Sequence, residues 1–318
     1  MDWLSDHFSA VQQWLYETVV QPIAFAMGAG NLLELAYDGT GWLVVGLLQI
    51  AVMVAVIGPL QRLWPVEPLT DRRAVRVDVI YTLIHRLGLF KLAMFFTFEN
   101  WMEQGIGELR ARGLPTFHLD QLWPGVTDGA LASFLIYLVV FDLANYWLHR
   151  AQHQFNWWWA LHSLHHSQRQ MTMWTDSRNH LLDDVLRDLI FVLLAILIGV
   201  APGQFVALVA ISQLSENFQH ANLRVSFGRI GERLWISPRF HRLHHSVGIG
   251  HETAGKGTLG GCNFGVLLPW WDMLFGTANF EHRFDATGVR DQVEQGRDYG
   301  AGFWAQQVQG LKRLVGRG

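Results

Sequence analysis

The run GWLVVGLLQIAVMVAVIGPL, residues 41–60, carries no charged side chain. An apolar helix of about 20 residues matches the hydrocarbon core of a bilayer, and within it the backbone satisfies all its own hydrogen bonds. Such a run must either enter a membrane or be wrapped completely in protein. Composition decides between the two. Half of the 318 residues are hydrophobic and 16% are charged, against about 25% charged in soluble domains. Fifteen tryptophans and twenty phenylalanines suit the bilayer interface, where amphipathic rings collect. We therefore expect an all-α integral membrane protein. A net charge of −3 offers nothing to nucleic acid, and the single cysteine, Cys262, excludes internal disulfides and thiolate-rich metal sites. Asp2 and Asp6 stand where a signal peptide would have a basic region.

Further spans are expected at 77–98, interrupted by His85, Arg86 and Lys91, and at 129–148, which holds one acid, Asp142. The stretches 185–200 and 204–214, broken at Ala201-Pro202-Gly203, suggest a helical hairpin that leaves and returns to one membrane side. The amphipathic first forty residues suit an interfacial helix or an extra span. Arg62, Arg72, Arg73 and Arg76 crowd the segment 61–76, whereas 99–128 holds only Arg110 and Arg112. The positive-inside rule then puts 61–76 in the cytoplasm. Parity carries 149–184 and 215–318 to the same face. The glycine-rich stretch 248–261 reads as a loop. Its Gly250-x4-Gly255-Lys256 falls short of a phosphate-binding loop, because Gly257 replaces the Ser or Thr and no strand precedes it.

Histidine is the second constraint. Of fifteen, ten lie between 149 and 245, in the patterns His149/His153, His162/His165/His166 and His241/His244/His245, with His180 and His220 single. Spacings of three and four residues put side chains on one helical face, about 5–6 Å apart. Imidazole suits iron, zinc, copper and nickel. Nine or ten such ligands exceed what one ion needs and would supply two. His7, His118 and His282 read as ordinary surface or hydrogen-bonded residues, and His251 is a weaker candidate than His180. Asp142, Asp176, Asp183 and Asp184 lie near the boxes and could orient imidazole rings, although Asp183 and Asp184 equally suit a helix start. The aromatic run Phe155-Asn156-Trp157-Trp158-Trp159 fits an interfacial rim or a plain membrane anchor.

Here the residues become recognisable. The string Asp142-x3-Tyr146-Trp147-x-His149-Arg150-x2-His153 resembles the first histidine box of the fatty acid hydroxylase/sterol desaturase superfamily. HSLHH at 162–166 resembles its second box and FHRLHH at 240–245 its third, with FQHAN at 218–222 similar to its isolated histidine element. NFG at 263–265 and WDMLFGT at 271–277 resemble the end of the domain, so the likeness runs from about 128 to 277. The resemblance implies N-terminal membrane segments over 1–127, a catalytic domain over 128–277 and a cytoplasmic tail over 278–318. It also implies a polytopic helical bundle bearing a cytoplasmic, histidine-rich metal-binding cap. His149, His153, His162, His165, His166, His220, His241, His244 and His245 would bind two iron ions, with zinc able to replace iron on purification. His180 in SRNH matches a family position, although Leu181 replaces the usual proline. Beyond these ligands, Asp142, Tyr146 and Asp176 are the candidates to support the metal.

The activity implied is hydroxylation or desaturation of an unactivated C–H bond in a lipid or sterol-like substrate. Dioxygen is the co-substrate, and electrons come from a separate ferredoxin- or cytochrome b5-type donor, since no haem-binding HPGG element is present. No side chain can itself oxidise such a bond. A zinc-dependent membrane hydrolase is the nearest alternative. A metal transporter fits less well, because transporters place ionisable ligands at mid-bilayer and here only His85 lies mid-span. A bis-histidine haem protein would need histidine pairs at mid-depth on facing spans.

Overall fold

The structure, a computed structural model, describes residues 2–94, 97–98, 100–247 and 261–317. The glycine-rich stretch 248–261, with the near-miss phosphate loop and His251, lies outside the described residues except for Gly261. Among the described residues the regular elements are helices, and no strand occurs. We label α1 (Asp2–Leu15), α2 (Gly30–Leu63), α3 (Arg72–Arg86), α4 (Asn100–Ala111), α5 (Ala130–Gln154), α6 (Asn156–His166), α7 (Leu181–Ile198), α8 (Pro202–His220), α9 (Pro238–His244) and α10 (Phe303–Leu314).

By length and composition, α2 and α5 are the two described helices able to cross a membrane. Each holds most or all of an apolar run expected to span, and each is longer than that run: α2 has 34 residues and α5 has 25. The extra turns of α5 are what carry His149 and His153. The amphipathic N-terminus is helical and packs along α2, with Gln12 donating to the Tyr37 carbonyl and the Tyr16 hydroxyl to that of Leu33.

The expected span at 77–98 is not one helix. α3 ends at Arg86, Gly88 takes φ 79°, and a short helix resumes at Leu89–Met94. One side of α3 is polar and buried, with Asp78, Thr82 and Arg86 all below 5% exposure. That face packs on protein instead of lipid, and Gly46 of α2 lets it come close: a Cβ there would sit 1.7 Å from the Arg86 carbonyl oxygen. The hairpin forms as α7 and α8, turning at Gly199 and Val200 with Pro202 opening α8. Its packing on α5 is apolar, through Tyr137, Leu138, Phe141, Ile198 and Leu208.

The C-terminal residues form more than a trailing tail. Arg313 of α10 donates to the Ala160 carbonyl of α6, and Gln307 donates to the Tyr81 hydroxyl and the Asn179 carbonyl. The arginine-rich stretch after α2 is equally tied in. The backbone amides of Val66 and Glu67 donate to the Asn222 side chain, and Arg242 pairs with Glu67 at 2.7 Å.

Candidate metal centre

Four elements deliver the histidines. The last turns of α5 present His149 and His153, α6 presents His162, His165 and His166, the end of α8 presents His220, and α9 with its C-cap presents His241, His244 and His245. All nine are buried. Their nitrogens gather into His149/His153/His162/His166, His165/His220/His241/His245 and His166/His244/His245, each group within 4.8 Å. His166 and His245 belong to two groups, so the two sets of four touch.

Tautomers follow from the carbonyls the rings face, since a carbonyl oxygen only accepts. His149 Nδ1–H donates to Phe264 O (2.9 Å), His220 Nδ1–H to Glu216 O (2.7 Å) and His244 Nδ1–H to Cys262 O (2.6 Å). His162 Nδ1 faces Asp183 Oδ2 at 3.2 Å. In these four rings Nε2 therefore carries the lone pair and points inward. His220 Nε2 lies 3.0 Å from His165 Nε2 and 2.9 Å from His241 Nε2, which is 3.1 Å from His245 Nε2. His153 and His166 meet through Nε2 at 3.1 Å. Imidazole-to-imidazole hydrogen bonds could satisfy only some of these atoms, and His162 Nε2 and His244 Nε2 have no hydrogen-bond partner. Neighbouring ligands on an ion with bonds of about 2.1 Å stand about 3.0–3.4 Å apart, from octahedral to tetrahedral geometry, close to the 2.9–3.1 Å spacings found. The residues present thus fit imidazole-bound metal.

Burial and the neighbouring rings hold His165, His166, His241 and His245 well below the usual imidazole range, and burial pulls His244 down to about 3. Neutral rings keep their lone pairs for a metal.

His180 does not join them. Its Nδ1 caps α7 by accepting from Leu182 N (3.1 Å), and its Nε2 donates to Gln307 O (2.9 Å). Both nitrogens are committed to joining α7 with α10. The three supporting candidates also act elsewhere. Asp142 accepts from Leu267 N, Leu268 N and Trp271 Nε1, pinning the 264–271 loop to α5. Tyr146 bonds Thr277 and Arg150. Asp176 takes Arg86 and Asn217, and its nearer oxygen stays 3.9 Å from His220 Nδ1. Asp184 faces His85 Nε2 at 3.2 Å. The acid that touches a clustered ring is Asp183, which also accepts from Gln152 and from Trp158 Nε1.

Sequence reasoning could not find the carbonyls of Cys262, Phe264 and Glu216, because every residue has one. The NFG and WDMLFGT elements explain two of them. Asp272 accepts from Phe264 N, Gly265 N and Thr277 Oγ1, which fixes the loop whose carbonyl holds His149. The aromatic run divides by role: Phe155 and Trp157 are exposed, Trp158 bonds Asp183, and Trp159 packs on His153 and His166. Changing Asp183 to Asn should weaken metal binding by about 10- to 100-fold, the usual effect of losing a group that orients a ligand. Metal titration of the chelated protein measures it, and unchanged affinity would remove Asp183 from the site.

Residues 134–277 match the fatty acid hydroxylase family. This segment is similar to a fatty acid hydroxylase domain. Among curated proteins it is 26% identical to an ornithine lipid hydroxylase of Rhizobium tropici over 83% of this chain and 76% of that one. An alkylglycerol monooxygenase of Danio rerio is 30% identical over 51% of this chain and 33% of its own length. A delta(7)-sterol 5(6)-desaturase of Gibberella zeae is 24% identical over 54% and 48%. No solved structure gave a significant match. The matched segment contains all nine clustered histidines.

Proposed function

We propose that this protein is a membrane oxygenase that inserts oxygen into, or desaturates, a C–H bond of a lipid at a di-iron centre held by the nine clustered histidines. The observation that carries it is the pair of buried four-histidine sets, joined through the group His166/His244/His245. The relatives' names, an ornithine lipid hydroxylase, an alkylglycerol monooxygenase and a sterol desaturase, support a lipid-oxidising activity. Bound iron supplies, with dioxygen and electrons from a separate donor protein, the oxidising power that side chains lack.

The chain's own residues do the rest. Asp183 and the carbonyls of Phe264, Cys262 and Glu216 hold four rings with Nε2 inward. Burial under α10 and the 264–271 loop keeps bulk water from a site whose chemistry must not leak to solvent. A cavity of about 190 Å³ adjoins the centre between α5, α7 and α8, lined on one side by Phe141, Phe191, Phe205 and Leu208. It gives an acyl chain a way in from the bilayer. We place the centre on the cytoplasmic face of a polytopic bundle. The arginine-rich segment 61–76, expected inside, bonds directly to residues of the second half of the cap, Asn222 and Arg242.

The test is metal analysis of the purified protein together with lipid turnover in air and under nitrogen. We expect about two irons per chain and products only with oxygen and a reductant. Zinc with hydrolysis, and no oxygen uptake, would replace this reading with that of a hydrolase.

A further inference from the structure

Resting on the oxygenase reading, we propose that the cavity beside the histidines binds a zwitterionic lipid head, with Arg187 holding its anionic group and Glu216 its cationic group. The cavity has a mixed lining: Phe141, Phe191, Phe205 and Leu208 of α5, α7 and α8 stand beside ionisable groups that include His85, Asp184, Arg187 and Glu216. Most of those charges are already paired: Lys91 with Asp188 at 2.6 Å, Arg86 with Asp176 at 3.3 Å, and His85 with Asp184 at 3.2 Å. Arg187 and Glu216 are left over.

Neither has a side-chain ion pair within bonding distance. The sole hydrogen bond of the Arg187 guanidinium is a long one, 3.4 Å to Asn145 Oδ1, and the Glu216 carboxyl makes none. An arginine offers five donors in a planar fork suited to carboxylate or phosphate, so one long bond leaves most of that capacity unused. Both residues line the cavity and also the chamber walled by His149, His162, His165, His220 and His241. They therefore stand at the junction between the lipid-sized space and the metals. The Arg187 fork and the Glu216 carboxyl each leave hydrogen-bonding capacity unfilled in a half-buried site, which is costly. A ligand bearing both opposite charges relieves both at once, and a neutral lipid relieves neither.

The geometry also sets direction. With the head on Arg187 and Glu216, which also line the histidine chamber, and the chain along Phe141, Phe191 and Phe205, the carbon nearest the histidines belongs to the head or the first bonds beyond it. An apolar chain terminus would have to pass the charged junction to reach them.

The test uses full-length protein in detergent micelles and native mass spectrometry, with an equimolar mixture of lipids. The mixture holds an N-acylated amino-acid lipid with free carboxylate and ammonium, phosphatidylethanolamine, phosphatidylglycerol and a diacylglycerol. Wild-type protein should retain the zwitterions over the diacylglycerol and the phosphatidylglycerol. Whichever zwitterion dominates tells carboxylate from phosphate. Arg187→Gln and Glu216→Gln should each cut that preference by about tenfold or more, as expected for one lost charge-assisted contact, with iron content unchanged. Arg187→Lys, the gentler change, should shift the ratio in the same direction if Arg187→Gln does not fold. Preference for the diacylglycerol or the phosphatidylglycerol in wild type, or an unchanged ratio in the variants, overturns the proposal. Retention of zwitterions by protein that binds no iron would instead sink the oxygenase reading and leave the head site standing.

Discussion

Replacing His166 with alanine should empty the metal centre, while replacing His180 should leave it full. His166 is shared between two of the three histidine groups, meeting His153 Nε2 at 3.1 Å and stacking on the His245 ring at 4.2 Å between centroids. Its loss removes a ligand from one set of four and the bridge to the other. Losing groups that merely orient a ligand costs about 10- to 100-fold in metal affinity, so losing His166 itself should lower affinity beyond that range and abolish turnover. His180→Ala should instead cost about 1 kcal/mol or more of stability, the usual price of a lost helix cap, with normal iron. Elemental analysis of both variants beside a thermal melt separates the cases. Full iron in His166→Ala, or none in a folded His180→Ala, would reverse the assignment. His165→Ala and His244→Ala should behave as His166→Ala does, each removing one buried ligand while the protein still inserts.

His180 also shows where sequence legibility ends. Spacing of three and four residues fixes which rings share a helical face, so the HxxHH strings and the His149/His153 pair were readable before any coordinates. A single histidine carries no such period: spacing alone does not separate His220, which points into the cluster, from His180, which caps α7, and the hint is Leu181 in place of the usual proline. The supporting acids were harder still. Asp142 lies in the first box and yet holds the 264–271 loop, while Asp183, which suited a helix start, orients His162 across 21 residues. Which carboxylate reaches which ring depends on tertiary distance. The spans show the same limit. The apolar runs in α2 and α5 fall in helices long enough to cross a membrane, whereas 77–98 is apolar enough to span and polar enough to pack inside.

That buried polar face of α3 yields the second large effect, loss of Arg178. This guanidinium pairs with Asp78 at 2.8 Å and also donates to the Leu164 carbonyl and the Ser167 hydroxyl at the end of α6. It thus ties α3 to the helix that carries His162, His165 and His166. Neither partner is more than 5% exposed. Arg178→Ala leaves buried Asp78 either charged without its cation or forced to take up a proton, and breaking such a pair costs about 3–5 kcal/mol. Gln168 and Thr175 still donate to Asp78, but neither brings positive charge. The double variant Asp78→Asn/Arg178→Met removes the charge as well as its partner, so it should recover part of the loss, giving a coupling energy of the opposite sign to the single effects. Thermal unfolding followed by helical circular dichroism in detergent reads all of these. A single variant melting with wild type would mean that α6 is held by its neighbours alone. If instead the single variant unfolds early and sheds iron while the double variant keeps it, the charge left behind on Asp78, more than the missing contacts, is what loosens the histidine helix.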